Sequence, residues 1–305
     1  MKKCQVLVIG GGGAGLTAAL YTSRAKLSTI LVEKLVPGGQ IALTDLVENY
    51  PGFPEGILGP EISSRMEEQA KRYGTEILFH EVKSLEINDG GFLIKSTDED
   101  LWAQSIILAA GASFRMLNIP GEKELTGKGV SYCATCDGAF FKDKEIVVIG
   151  GGDSALQEGL FLTRFASKVT IVHRRDKLRA SPILQQRARE NSKIKFIWDT
   201  VLEKIEGPSK VSSVLLKNIK TGESQVFKAE GVFIFIGHDP NTGFLKNFVQ
   251  LDDHGYVQCR ESLKTSVPGV FAAGEIRAGA VKQLVAACGE GCEAALSAQE
   301  YLEHV

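Results

Sequence analysis

The sequence predicts an α/β fold built from two copies of one strand–turn–helix–strand unit. Three observations predict it. A segment near the N-terminus recurs 140 residues later, each copy sets a glycine run between apolar stretches, and 305 residues is a length suited to about two domains. Hydrophobic content of 44% and charged content of 24% are ordinary for a soluble globular chain.

The first copy is VLVIGGGGAGLTAALYTSRAKLSTILVE, within Lys3 to Glu33. The second is IVVIGGGDSALQEGLFLTRFASKVTIVH, within Asp143 to His173. Gly10, Gly11 and Gly12 fall opposite Gly150, Gly151 and Gly152, and Glu33 falls opposite His173. The opening strands, Gln5–Ile9 and Glu145–Ile149, are short apolar runs suited to a parallel sheet buried on both faces. Leu16, Ala19 and Leu20 then follow at helical spacing. Thr29–Val32 and Val169–Val172 read as the returning β-branched strands.

The glycines carry chemistry. The first lets the chain turn tightly from strand to helix. The second lets backbone approach a pyrophosphate, whose charge the helix N-terminus favours, and the third lets helix and strand pack closely. Gly10-x-Gly12-x-x-Gly15 meets the full dinucleotide fingerprint, and Gly150-x-Gly152-x-x-Ala155 meets its Ala variant. The expectation is two Rossmann-like three-layer domains.

The copies end differently. Glu33, 18 residues after Gly15, can accept hydrogen bonds from ribose hydroxyls and would repel a 2′-phosphate, so this copy suits FAD or NAD. His173 is followed by Arg174, Arg175 and Arg179, whose planar donor forks suit the 2′-phosphate of NADP. A flavin enzyme fed by NADPH is the reading that uses both.

Between the fingerprints lies Cys133-Ala134-Thr135-Cys136-Asp137. Two cysteines two residues apart can close a disulfide, and a thiolate near a helix N-terminus has a lowered pKa. No second C-x-x-C or paired His lies nearby to complete a zinc site, so no metal is expected. Asp137 reads either as a helix cap or as a proton donor to a leaving thiolate. Cys4, Cys259, Cys288 and Cys292 read as packing residues, and six cysteines are too few for a disulfide scaffold.

Several classes are disfavoured. A net charge of −2 with no basic tract gives no support for a nucleic-acid partner. Met1-Lys2-Lys3 before an apolar stretch imitates a signal peptide, but the glycines at 10–13 would break its helix, so a cytoplasmic protein is expected. No other run reaches the ~18 apolar residues of a membrane helix.

The segments GGQ (38–40), ENYPGFPE (48–55), CATCDG (133–138), GGGDSA (150–155), HRRDKLRAS (173–181), IGHDPNT (236–242) and GVFAAGE (269–275) occur in one order. They resemble the low-molecular-weight thioredoxin reductases of bacteria and archaea over residues 5 to about 302. The resemblance implies a split FAD domain, 1–112 with 240–305, into which an NADPH domain, 113–239, is inserted. It implies FAD contacts from Gly10, Gly12, Ala14, Gly15, Glu33, Gly39, Gln40, Asn49, Gly111, Gly274, Glu275, Lys282, Gln283 and Leu284. It implies NADPH contacts from Gly150, Gly152, Asp153, Ser154, Ala155, His173, Arg174, Arg175 and Arg179. It assigns Cys136 to the flavin side, Cys133 to attack on a protein disulfide, and Asp137 to protonation of the departing thiolate. The implied acceptor is thioredoxin or a thioredoxin-like protein, and the implied assembly a homodimer.

Two positions depart from that family's usual pattern. Glu275 stands where Asp is usual, and Lys282 where Arg is usual. The first keeps its acceptor oxygens on a longer arm, and the second loses a bidentate fork. Two other readings compete: a flavin–NADPH oxidoreductase feeding a peroxiredoxin-linked acceptor, and a nucleotide-binding redox sensor without turnover. Relatives of the first kind carry an extra N-terminal dithiol module; with four residues before the first strand, that form is expected only if the module is a separate chain. The intact dithiol and both fingerprints weigh against the second.

Overall fold

In the computed structural model the chain divides into two compact units, Met1–Ser113 with Asp239–Val305, and Phe114–His238. The structure describes residues 1–43, 46–47 and 49–304, with the backbone alone for Leu43, Leu46, Thr135 and Cys136. Among the described residues no helix is long and apolar enough to cross a membrane.

The discontinuous unit opens with β1 (Lys2–Ile9), α1 (Gly13–Arg24) and β2 (Thr29–Val32). A short hairpin, β3 (Leu46–Val47) and β4 (Ile57–Leu58), precedes α2 (Gly59–Arg72). Then follow β5 (Glu76–Leu78), β6 (Val82–Asn88), β7 (Gly91–Ser96) and β8 (Leu101–Leu108). The first crossover is β9 (Ala112–Phe114).

The inserted unit runs β10 (Val130–Ser131), α3 (Ala134–Asp137), β11 (Glu145–Ile149), α4 (Asp153–Leu162), β12 (Lys168–Val172), α5 (Pro182–Glu190) and β13 (Ile194–Ile197). It continues through β14 (Thr200–Glu206), β15 (Ser213–Asn218), β16 (Ser224–Lys228) and β17 (Gly231–Ile234). The return crossover is β18 (His238–Pro240), which pairs with β9. β19 (Val270–Ala272) and α6 (Leu284–Glu303) complete the chain.

Four parallel strands follow the same order in both units, and the fifth, at the edge, comes from the end of the chain in the first unit and from the start of the insert in the second. In the first, β5, β2, β1, β8 and β19 are parallel neighbours in that order, and β7 and β6 extend antiparallel from the other half of β8. In the second, β13, β12, β11, β17 and β10 are parallel neighbours, and β14–β16 form a separate antiparallel sheet.

The apolar strand runs exist because each central strand feeds two cores. Along β1, Leu7 and Ile9 enter one cluster while Val6 and Val8 enter another. Along β11, Ile146 and Val148 face one core, and Val147 and Ile149 the other. A strand covered on both sides has no solvent face, so its alternation disappears.

On one face of the first sheet, α6 lies against α1 through small residues. An added Cβ at Gly291 would lie 2.2 Å from the Ala14 carbonyl oxygen, and one at Gly13 would lie 2.4 Å from Leu284 Cδ1.

Candidate functional site

The first glycine turn lies at the C-terminal end of β1, where open α/β sheets bind their ligands. Gly10 has φ +106°, and its Cβ would lie 2.4 Å from the Ala109 carbonyl oxygen. A Cβ on Gly15 would lie 1.8 Å from the Gly10 carbonyl oxygen. At Gly12, by contrast, a Cβ would meet nothing within 4 Å. That open space faces the start of α1, so a phosphate can approach bare backbone there. The Glu33 carboxylate accepts the Gly11 N–H at 2.7 Å and the Leu35 N–H at 2.9 Å.

The other residues expected in this unit gather around the turn. A Cβ on Gly39 would lie 3.3 Å from Gly12 Cα, and one on Gly274 would lie 3.1 Å from Ala14 Cβ. Gln40 Nε2 donates to the Ala112 carbonyl at 2.7 Å. Asn49 Nδ2 donates to Gln283 Oε1 at 2.8 Å, and Gln283 is the residue before α6, which begins at the buried Leu284. Gly111, with φ +64°, accepts the Asn241 N–H at 3.0 Å. Lys282 is exposed and opposes the desolvation of Glu275. Among described side chains, Glu275 Oε2 is a buried oxygen without a hydrogen-bond partner, and burial pushes its carboxyl up. A ligand hydroxyl would satisfy that oxygen, so these residues fit FAD.

The second turn repeats the first in backbone detail. Gly10 N–H donates to Val32 at 2.8 Å, and Gly150 N–H to Val172 at 3.2 Å. Gly11 C=O accepts the Gly38 N–H at 2.7 Å, and Gly151 C=O accepts the Arg179 N–H at 2.7 Å. Glu33 N–H donates to Leu78 at 2.9 Å, and His173 N–H to Ile197 at 2.9 Å. Gly152 is open, as Gly12 is.

His173 occupies the place of Glu33 but is used differently. Its ring is buried beneath Gly151, where an added Cβ would lie 2.3 Å from Nδ1, and Nε2 lies 3.1 Å from the Lys177 carbonyl. Burial pushes its pKa down, and the neighbouring arginines push the same way. Arg174, Arg175 and Arg179 are exposed. Asp153 Oδ1 accepts the Ser181 N–H at 2.6 Å, Ser154 is exposed, and Ala155 is fully buried. The open glycine and exposed guanidiniums fit a phosphorylated dinucleotide.

The dithiol segment joins β10 to α3. Cys133 is half-buried and disulfide-bonded. The Cys136 side chain lies outside the described residues. Ser131 Oγ accepts the Cys133 N–H at 3.1 Å and donates to the Cys133 carbonyl at 3.1 Å. The Asp137 N–H donates to the same carbonyl at 3.2 Å, and the Asp137 side chain is half-buried. On α4, Glu158 accepts the Ala134 N–H, and burial pushes its carboxyl up.

The remaining thiols are free. Burial pushes Cys4 up to about 12 and Cys259 to about 11, so both stay protonated and inert. Cys288 and Cys292 share α6, and Cys288 Sγ lies 3.7 Å from the Gly13 carbonyl. Among the described residues no group of three or more His, Cys, Asp and Glu could hold a metal ion.

Two acidic residues shape the site without any sequence signal of comparable strength. Glu290 accepts the Gly274 N–H and Arg277 Nε, each at 2.7 Å, and so fastens the Gly274–Glu275 turn to α6. Glu122 is buried and accepts N–H groups of Leu117, Asn118 and Ile119, with Tyr132 Oη donating to it at 2.8 Å. Only the Pro120-Gly121 turn before Glu122 marks that place in the sequence.

Fold and site together define a dinucleotide-binding α/β protein that carries a disulfide in the same unit as one of its nucleotide turns. The chain belongs to the pyridine nucleotide-disulphide oxidoreductase family, whose model matches residues 4–291. It is 52% identical over 307 aligned residues to the thioredoxin reductase of Bacillus subtilis, covering 100% of this chain and 96% of that protein. To the thioredoxin reductase of Listeria monocytogenes it is 48% identical, covering 100% and 95%. The crystal structure of Lactococcus lactis thioredoxin reductase matches with a TM-score of 0.85 and 46% identity, over 99% of this chain and 100% of that one.

Proposed function

We propose that the chain is a thioredoxin-disulfide reductase that takes electrons from NADPH, holds FAD in its discontinuous unit, and delivers the electrons through Cys133 and Cys136. The observation that carries this reading is the disulfide-bonded Cys133 immediately before the short helix α3, in a chain with two nucleotide turns of opposite strand-end charge. FAD, when bound, supplies the exchange between a hydride donor and a dithiol.

The chain's own residues do the rest. Backbone N–H groups at the start of α1 hold a pyrophosphate, and Glu33 holds ribose hydroxyls. Glu275 offers its unpartnered oxygen to a ligand hydroxyl. Gly150, Gly152 and the start of α4 hold the NADPH pyrophosphate, and Arg174, Arg175 and Arg179 hold its 2′-phosphate. His173 supports that turn from beneath. Asp137 gives a proton to the thiolate that departs when the Cys133–Cys136 disulfide opens. That thiolate is Cys133; once its proton has returned to Asp137, Cys133 attacks the disulfide of thioredoxin or a thioredoxin-like protein. Cys136 attacks the mixed disulfide at Cys133 sulfur, which releases the partner as a dithiol and re-forms the bond within the chain.

A cytoplasmic setting is supported by four free thiols in an otherwise cysteine-poor chain. A homodimer is supported by exposed apolar side chains on and before α6, with Val281 60%, Val285 45% and Leu296 54% accessible.

The test is NADPH oxidation coupled to thioredoxin and insulin, using the host's own thioredoxins. Wild type should turn over. Cys133→Ser and Cys136→Ser should each abolish thioredoxin reduction while NADPH still reduces ferricyanide. Thioredoxin reduction that survives either substitution would sink the dithiol assignment.

A further inference from the structure

A buried carboxylate ties the residue before Cys133 to the chain segment that enters the inserted unit. Glu122 is 1% exposed. It accepts the Leu117 N–H at 2.9 Å and the Asn118 N–H at 2.6 Å, both just past the first crossover. It also accepts the Ile119 N–H at 3.4 Å and the phenol of Tyr132 at 2.8 Å. Burial, and then Glu122 itself, push that phenol up, so it stays protonated and donates. The Tyr132 ring stacks on Phe114 of the first crossover, with centroids 5.8 Å apart. Phe114 in turn lies 5.2 Å from the ring of His238, where the chain leaves the unit. One residue earlier, Ser131 Oγ bonds both the N–H and the carbonyl of Cys133.

The segment leading into Cys133 is thereby fastened at the two residues before it, Ser131 and Tyr132. Nothing in the disulfide chemistry requires a Tyr–Glu bond 10 residues long in sequence, and a polar pair of this kind is costly to bury unless complete. It does supply what in-line attack on a protein disulfide needs, which is a sulfur whose backbone cannot drift.

We propose that Glu122 and Tyr132 are positioning residues for Cys133: the carboxylate fixes the phenol, and with it the dithiol segment, to the backbone just past the entering crossover. The inference rests on the reading that Cys133 attacks the protein disulfide.

The test compares wild-type holoenzyme with Tyr132→Phe, Glu122→Gln and the double variant. Tyr132→Phe keeps the ring and removes only the phenol. Its kcat/KM for thioredoxin should fall by about tenfold, the scale on which small misplacements of a reacting group cost rate. Reduction of ferricyanide by NADPH should be unchanged. In the reduced protein, the pH midpoint for alkylation of Cys133 by iodoacetamide should also be unchanged, because a small reagent needs no fixed approach. The double variant should be no slower than the slower single one, since both act through one bond. Thioredoxin turnover in Tyr132→Phe equal to wild type would overturn the proposal. So would a shifted alkylation midpoint, which would make the effect electrostatic rather than positional. A wild-type enzyme that reduces no thioredoxin would instead overturn the function on which the proposal rests.

Discussion

Arg174, Arg175 and Arg179 stand exposed after β12, where the other unit has Glu33 after β2. Each charged contact to a phosphate contributes roughly 1.5–3 kcal/mol, about one to two decades in affinity. Arg174→Ala with Arg175→Ala should therefore raise the KM for NADPH by at least about one decade and leave that for NADH unchanged. Equal use of both nucleotides by wild type would remove the assignment. Glu275 makes a prediction of a different kind. Burial raises its carboxyl in the folded protein, and Lys282 opposes this only in part. A raised acid binds its proton more tightly folded than unfolded, so its contribution to stability is full below the ordinary carboxylate range and is lost as pH rises through the folded-state value. The FAD-free protein should melt at progressively lower temperature as pH rises above that range, and Glu275→Gln should flatten this part of the profile. Identical melting profiles for the two proteins across that window would clear Glu275 of the effect.

At the scale of the element, the first strand–turn–helix contains two glycines whose replacement separates folding from binding. Gly12 has room for a methyl group, with φ −74° and nothing within 4 Å. Gly15 has none, because its Cβ would lie 1.8 Å from a backbone oxygen. Gly15→Ala should cost roughly 1–3 kcal/mol or more of stability in the FAD-free protein. Gly12→Ala should melt like wild type when FAD is stripped, yet retain little FAD on gel filtration, since the methyl occupies the space a phosphate needs. Full FAD retention by Gly12→Ala would show that the open space is not the phosphate's. These elements were legible in the sequence because a turn of this kind needs glycine at fixed places, and β2 spans Thr29–Val32 as its β-branched run indicates. The first strand is longer than the apolar run implies, beginning at Lys2, because pairing with β8 continues past the last buried residues. Glu122, Glu290 and Ser131 were not legible. Their partners lie 10, 16 and 2 residues away and include backbone N–H groups, which leave no side-chain pattern to read. His173 shows the converse: its position matches Glu33, but only burial reveals that the ring fills the space under Gly151.

At the scale of the molecule, the inserted unit has cores of its own on both faces of its sheet. Its two ends meet, with the Arg115 N–H donating to the Gly237 carbonyl at 2.9 Å. A unit with a complete core and adjacent termini can fold by itself. Residues 114–238 expressed alone should show a cooperative thermal transition and bind NADPH by calorimetry without FAD; an unfolded or non-binding fragment would contradict this. The matched backbone bonds of the two turns have a historical consequence as well. Four strands in one order in each sheet, and two turns that share their backbone bonds while their strand-end side chains differ, point to a duplicated ancestral module. One copy was later threaded into the other, and adjoining termini are what allow a module to be received into a host without parting the strands on either side. Descent then altered the side chains that meet the ligand and left the framework as it was inherited.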